Sequence, residues 1–345
     1  MKLDTKMEFI SRWSFYLLLI VTSVFGFVAC EEDDEEDDDG NWIETQPFRG
    51  RPRGGAVAFV ANDKAYVGLG YDGDDYLPDF YEFDLDQGIW QQKDSFPGPL
   101  RERAVAFSIN GIGYVGIGYN RDLDIEELKD FWKYDPGKDQ WTQLGDFAGT
   151  RRYNAVGFAI NGMGYIGTGF DGDNFNNDFW EYNPGADSWT EVRSLPGPKR
   201  EEATAFIVND LVYIGTGRNN GLYESDLWEF NPTDKTWIDR SLDDDDDYYD
   251  EFLLAVNRHD ATSFGLNGKG YIIGGSNGSI QSSVWEFNPA NGVWEDKTDF
   301  EGSARMVAVH YILQGRVFVT TGQNGTRRFD DTYEFRPDEV HDEDD

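Results

Sequence analysis

Short apolar runs separated by Gly, Asn, Asp and Pro recur along most of this chain, and their spacing predicts strands. Residues 152–189 show the pattern most clearly, reading RYNAVGFAINGMGYIGTGFDGDNFNNDFWEYNPGADSW. A first run from Ala155 to Ile160 ends at Asn161-Gly162, a dipeptide that takes the positive φ of a type I′ turn. The second run, Gly164 to Gly169, must therefore fold back antiparallel on the first. A third, aromatic-rich run from Phe179 to Asn183 stops at Pro184-Gly185, because Pro cannot donate to a ladder. A fourth opens at Trp189. The unit is a four-stranded antiparallel meander.

The unit is written six times. Arg53, Arg101, Arg152, Arg200, Arg258 and Arg305 each stand three residues before an Ala that starts a first strand. Second-strand aromatics follow at Tyr66, Tyr114, Tyr165, Tyr213, Tyr271 and Phe318, each four residues before a Gly. Third strands carry Tyr81, Trp132, Trp180, Trp228, Trp285 and Tyr333, and fourth strands open with Trp90, Trp141, Trp189, Trp237 and Trp294. A period of about fifty residues with four strands per repeat predicts an all-β, six-bladed propeller. The sixth copy lacks a fourth strand, whereas Trp42 precedes Arg53 much as Trp90 precedes Arg101. Residues 41–46 are therefore expected to pair into the last blade and close the ring, which removes an open sheet edge.

This pattern of Arg, Asn-Gly, an aromatic before Gly-x-Gly, Trp-Glu-Phe-Asn-Pro and a late Trp resembles the kelch repeat. The resemblance covers residues 41 to about 337 and implies a kelch propeller. Kelch strands usually end in a Gly pair, and only Gly274-Gly275 keeps it; Leu69, Ile117, Thr168, Thr216 and Thr321 stand there elsewhere. Some kelch-type propellers are copper radical oxidases, whose chemistry needs a Cys-modified Tyr and two His at copper. Cys30 lies outside the repeats and only His259 and His310 lie within them, so that activity is excluded. Other six-bladed kelch proteins are sialic-acid mutarotases.

The first forty residues depart from the repeat. Lys2, Lys6 and Arg12 precede an uncharged run from Trp13 to Ala29, which reads as an export signal. The run ends Phe27-Val28-Ala29-Cys30, and Cys30 is the only cysteine. This resembles the lipobox of bacterial lipoproteins and implies lipid on Cys30. Nine acidic residues follow, from Glu31 to Asp39, and resemble the stretch after the lipidated Cys in surface lipoproteins of Bacteroidetes-type bacteria. The expected division is a signal peptide at 1–29, a lipidated Cys and self-repelling tether at 30–40, the propeller at 41–337 and an acidic tail at 338–345. An exported protein held at the outer membrane or cell surface by its lipid is expected, monomeric and without internal disulfides.

With 66 acids against 30 bases the net charge is −36, which disfavours nucleic-acid binding. Function is expected on the face where second and third strands connect, since those loops vary in length. The run 123–128 in blade two suggests a helical turn there. Asp243 to Asp247, in the connection from blade four to five, offer oxygen ligands for Ca²⁺ but lack the spacing of a calcium loop, and no metal or cofactor is expected.

Six Arg at one position per blade should line the channel mouth, where their forks suit carboxylates. Tyr71, Tyr119 and Phe170 follow the second strands of the first three blades and add aromatic faces. Together they suit an acidic sugar, peptide or protein. Asp79, Asp130, Asp178, Asp226 and Asp331 recur once per blade and offer a scaffolding alternative, pairing with the Arg series. Blade five has Ser283 at that position, which leaves Arg258, beside His259, either paired with Asp250, Glu251 or Asp260 or free for a ligand. A non-catalytic binding propeller is the first expectation. A sugar mutarotase or epimerase is the second, to be favoured by a channel-mouth carboxyl near an Arg with a raised pKa.

Overall fold

A computed structural model describes residues 39–242 and 255–342. Cys30, the signal and most of the tether, and the run Asp243 to Asp247 lie outside the described residues. Six four-stranded antiparallel sheets are arranged in strand order as blades of a propeller. Blade three runs Val156–Ile160, Met163–Gly167, Phe179–Asn183 and Ser188–Val192. Its first hairpin pairs Ile160 with Met163 around Asn161 and Gly162, whose φ of 53° and 75° are those of the expected type I′ turn.

Blade six is completed from the other end of the sequence. Strand Asp39–Glu44 pairs antiparallel with Thr332–Val340, placing Trp42 opposite Phe335. Trp42 is fully buried, stacked on Phe335 at 4.5 Å and meeting the edge of Phe300 at 4.8 Å. Its indole N–H donates to the Thr298 carbonyl of blade five at 3.3 Å. The partner strand extends past the expected boundary at residue 337 as far as Val340, because the closing strand supplies ladder partners that far.

An apolar cluster fills the gap between each pair of neighbouring blades, including sixth and first, where Phe48, Val67, Trp90, Tyr311 and Phe318 meet. The per-blade Tyr and Trp are therefore packing residues. Blade two differs from expectation at 123–128. No helical turn forms there; instead strands Ile112–Tyr119 and Glu127–Asp135 lengthen into a protruding hairpin. Tyr119 pairs with Glu127 across it, and the Tyr119 hydroxyl donates to Glu126 at 2.7 Å.

Two closed rings of backbone hydrogen bonds tie the blades around the axis. In one, the Gly after each second strand donates to the carbonyl of the next blade's repeated Arg, from Gly70 to Arg101 round to Gly322 to Arg53, at 2.8–3.0 Å. In the other, Gly55, Arg103, Asn154, Glu202, Asp260 and Val307 each donate an N–H to the preceding member, and Gly55 donates to Val307 at 3.3 Å to close the circle. All six members of this inner annulus have φ between 49° and 60°.

Candidate ligand site at the channel mouth

The repeated Arg side chains do not line the mouth. All six are 0–2% exposed, with each guanidinium turned back into its own blade. Arg53 Nη1 donates to Asp79 at 2.6 Å and to the Leu69 carbonyl at 3.1 Å. Arg101, Arg152, Arg200 and Arg305 repeat this with Asp130, Asp178, Asp226 and Asp331. The carbonyl accepted in each blade belongs to the residue at the first position of the kelch Gly pair. Leu69, Ile117, Thr168, Thr216 and Thr321 take φ of 53–63° there, a left-handed conformation costly for branched side chains. The Arg–Asp pair thus pins a strained turn, and the Arg series is accounted for by scaffolding.

Arg258 is not free either. Its donors reach the carbonyls of Gly274 at 2.9 Å, Val256 at 3.3 Å and Ser283 at 3.2 Å, the Ser283 hydroxyl at 3.0 Å, and the Ala255 carbonyl. Among the described residues no carboxylate pairs with it, and burial lowers its pKa to about 10. Carbonyl oxygens replace the missing Asp, so Arg258 and Ser283 lie beneath the mouth rather than offering donors to it.

The mouth itself is lined by the inner annulus, two residues beyond each repeated Arg, with the ring of Ala below. It encloses about 210 Å³ and continues through the shared Ala ring into a second compartment of about 220 Å³. The left-handed backbone aims each annulus side chain at this space, and the side chains differ from blade to blade. Glu202 is the hub. Its Oε1 accepts from Arg103 at 3.1 Å, Asn154 at 3.0 Å and Arg218 at 3.0 Å. Its Oε2 lies 2.6 Å from Arg218 Nε and 2.9 Å from His259 Nδ1. Asp260 accepts from Arg103 at 2.9 Å and lies 3.3 Å from His259 Nδ1.

These contacts set the protonation states. Burial works against a charged imidazole, but Asp260 and Glu202 outweigh it and raise His259 to about 9. Burial favours neutral Asp260, yet Arg103 and His259 hold it below its ordinary value. Glu201 is pushed up by burial and by the neighbouring Glu202 charge. Glu102 is pushed up by burial against the pull of Arg103, Arg328 and Arg121, and no hydrogen bond or ion pair ties its carboxyl down among the described residues. Glu202, His259 and Asp260 place potential metal-ligand atoms within 4.8 Å of one another, but Arg103 and Arg218 already bring positive charge to these carboxylates.

Tyr71, Tyr119 and Phe170 do come to the rim, bridging to Gly54, Glu102 and Tyr153 beside the annulus. Tyr153 links two of them, 4.8 Å from Tyr119 and 5.9 Å from Phe170, and forms an aromatic arc along one side. His259 stacks on Tyr223 at 5.6 Å. The annulus positions escaped the sequence reading because repetition drew attention to the constant Arg. The available signal was the reverse: between an invariant Arg and an invariant Ala, one position reads Gly, Arg, Asn, Glu, Asp, Val.

A kelch motif is recognised at residues 257–300, the blade that retains Gly274-Gly275. No curated protein matches the sequence. By fold, 918 chains of solved structures match, so the likeness specifies architecture and not activity. The structure of YjhT superposes with a TM-score of 0.69 over 84% of this chain and 96% of that one, at 16% identity. The chain is a six-bladed β-propeller of four-stranded antiparallel blades that carries a kelch motif in its fifth blade.

Proposed function

We propose that this propeller binds a small, hydroxyl-rich ligand at the channel mouth, within the annulus of Arg103, Asn154, Glu202 and Asp260. The observation that carries the reading is asymmetry: the scaffold repeats in every blade, whereas the annulus presents a different group from each. Convergent donors and acceptors beside an aromatic arc are what a sugar-like ligand uses for orientation and stacking. Thermal-shift screening of neutral and acidic sugars and short acidic peptides tests it, since a ligand bound to the folded state raises the melting temperature. The informative variant is Asn154→Gly. Gly55 occupies the equivalent left-handed position in blade one, so the substitution removes the amide without straining the backbone. It should abolish the shift of any hit; a hit with an unchanged shift in this variant would sink the reading.

A second reading has its own support. Opening a sugar ring needs one group to protonate the ring oxygen and another to accept the anomeric hydroxyl proton. Glu102, whose pKa burial raises against the pull of Arg103, Arg328 and Arg121, fits the first role. Glu202 or Asp260 fits the second. An anomer-exchange measurement by NMR decides: catalysed exchange that Glu102→Gln removes favours a mutarotase or epimerase, and exchange at the uncatalysed rate leaves binding alone.

The extracytoplasmic, lipid-anchored setting is part of the proposal and rests on the charged start, apolar run and lone Cys30. Cys30→Ser should abolish lipid labelling and release the protein from membranes or leave it unprocessed. Unchanged labelling would remove the anchor from the account.

A further inference from the structure

The charges at the mouth fall into two groups. On one side Arg103, Arg218 and protonated His259 meet Glu201, Glu202 and Asp260, three positive against three negative, in a linked network. On the opposite side, where blades six, one and two meet, positive charge is left over. Arg121, from the blade-two hairpin, lies 4.7 Å from the Tyr71 ring centroid, and Arg328, from blade six, lies 6.0 Å from the same centroid. No carboxylate lies within ion-pair distance of either guanidinium among the described residues. Arg328 Nη1 donates only to the Gly325 carbonyl at 3.0 Å, and its buried Nε has no partner. Glu102 senses both cations but bonds to neither.

This arrangement is unusual for the chain that contains it. Acids outnumber bases 66 to 30, and most other Arg at the mouth and beneath it already have carboxylate partners. Two like charges placed at one aromatic ring repel each other, and an anion bound by both would offset that repulsion. The Arg121 side chain also engages the Tyr76 hydroxyl, and the remaining N–H donors of the two planar forks are left for an acceptor. The geometry points to an oxyanion subsite formed by Arg121 and Arg328 around Tyr71, which takes a carboxylate or phosphate group of the mouth ligand. The inference rests on the channel-mouth reading above and adds to it the charge and placement of one ligand group. Tyr76 supports the site: its hydroxyl accepts from the Arg121 backbone N–H at 3.1 Å, and its ring packs against Tyr71 at 4.9 Å, which holds the hairpin against blade one.

The test is calorimetric titration of the purified full chain with three probes: glucuronate, its neutral methyl ester, and inorganic phosphate. Glucuronate should bind about tenfold or more tightly than the ester, through charge-assisted bonds. Arg121→Ala and Arg328→Ala should each erase that preference while leaving ester binding and the melting temperature unchanged, since neither Arg holds a carboxylate. Phosphate that binds with the same dependence on both Arg, and more tightly than glucuronate, would assign the subsite to a phosphorylated ligand. Equal binding of acid and ester without phosphate binding overturns the subsite and leaves the mouth reading standing. Binding of none of the probes at millimolar concentration, or an anion preference that survives both substitutions, also overturns it.

Discussion

Arg200 and Arg258 occupy the same position in neighbouring blades but are satisfied differently, and that difference decides what their loss does. Arg200 holds Asp226 through both Nη atoms, at 2.5 and 2.6 Å, and the Thr216 carbonyl at 3.0 Å. Arg200→Ala strands a carboxylate and unpins a turn, and should destabilise by about 3–5 kcal/mol. From sequence, Arg258 reads either as paired with Asp250, Glu251 or Asp260 or, because Ser283 replaces the Asp, as a free ligand-binding cation. The structure gives it carbonyls and a hydroxyl instead, so Arg258→Ala should also lower stability, by about 2–3 kcal/mol, through the acceptors it leaves unpaired. Chemical denaturation checks both; a neutral Arg258→Ala would restore the free-cation reading. Thr321 bears on the same turn. It holds φ of 63° with its hydroxyl buried and unpaired. Blade five uses Gly274 at this place, so Thr321→Gly should stabilise by about 1 kcal/mol, the relieved strain and desolvated hydroxyl outweighing the added chain entropy. A lower melting temperature for Thr321→Gly would contradict the strain argument.

His259 gives the residue-scale pH dependence. Its folded pKa, about 9, stands above the ordinary 6.5. The stabilisation is therefore complete below about pH 6.5 and is lost as pH rises through about 9. Allowing for partial solvent access, the loss is about 1–2 kcal/mol. Melting temperatures measured from pH 6 to about pH 10 should fall in the parent and flatten in His259→Gln; parallel curves would mean that the imidazole is not held by Glu202 and Asp260.

At the scale of elements, much was legible because turn chemistry and aromatic spacing repeat. Asn-Gly fixes the first hairpin, Pro-Gly ends the third strand, and the stray Trp42 identifies the closing strand. The blade-two excursion was misread: the run Leu123 to Leu128 suggests a helical turn, but cross-strand pairing of Tyr119 with Glu127 draws it into a hairpin. That pairing is tertiary context and overrides local propensity. The site was legible only in part. Tyr71, Tyr119 and Phe170 reach the rim, whereas the annulus depends on left-handed backbone that Gly55, Asn154 and Asp260 favour but Arg103, Glu202 and Val307 do not announce. Closure is the testable element. Trp42→Ala should destabilise the ring by about 3–5 kcal/mol, by removal of a fully buried indole from contact with Phe300 and Phe335. Removal of everything through Gln46 should lower the melting point further, since the sixth blade then loses a strand. A truncated chain that melts like the parent would show that the segment does not close the propeller.

For the whole molecule, a symmetric scaffold surrounds an asymmetric mouth. Six buried Arg, the inter-blade clusters and two rings of backbone hydrogen bonds repeat with the blades. The annulus side chains, the His259 network and the Arg121–Tyr71–Arg328 group do not. Rigidity comes from the repeated part, and it holds the varied part in place. In a chain of net charge −36, Arg121 and Arg328, without carboxylate partners among the described residues, are a local positive exception at one side of the mouth that would focus anions toward it. The most direct measurement is a crystal structure of the protein soaked with the first sugar found to raise its melting temperature. The account predicts ligand density over the annulus, with hydroxyls within hydrogen-bond distance of Arg103, Asn154 or Glu202 and a ring face against the Tyr119–Tyr153 arc. Density confined to the hairpin face or between the outer strands, with the mouth holding only water, would contradict it.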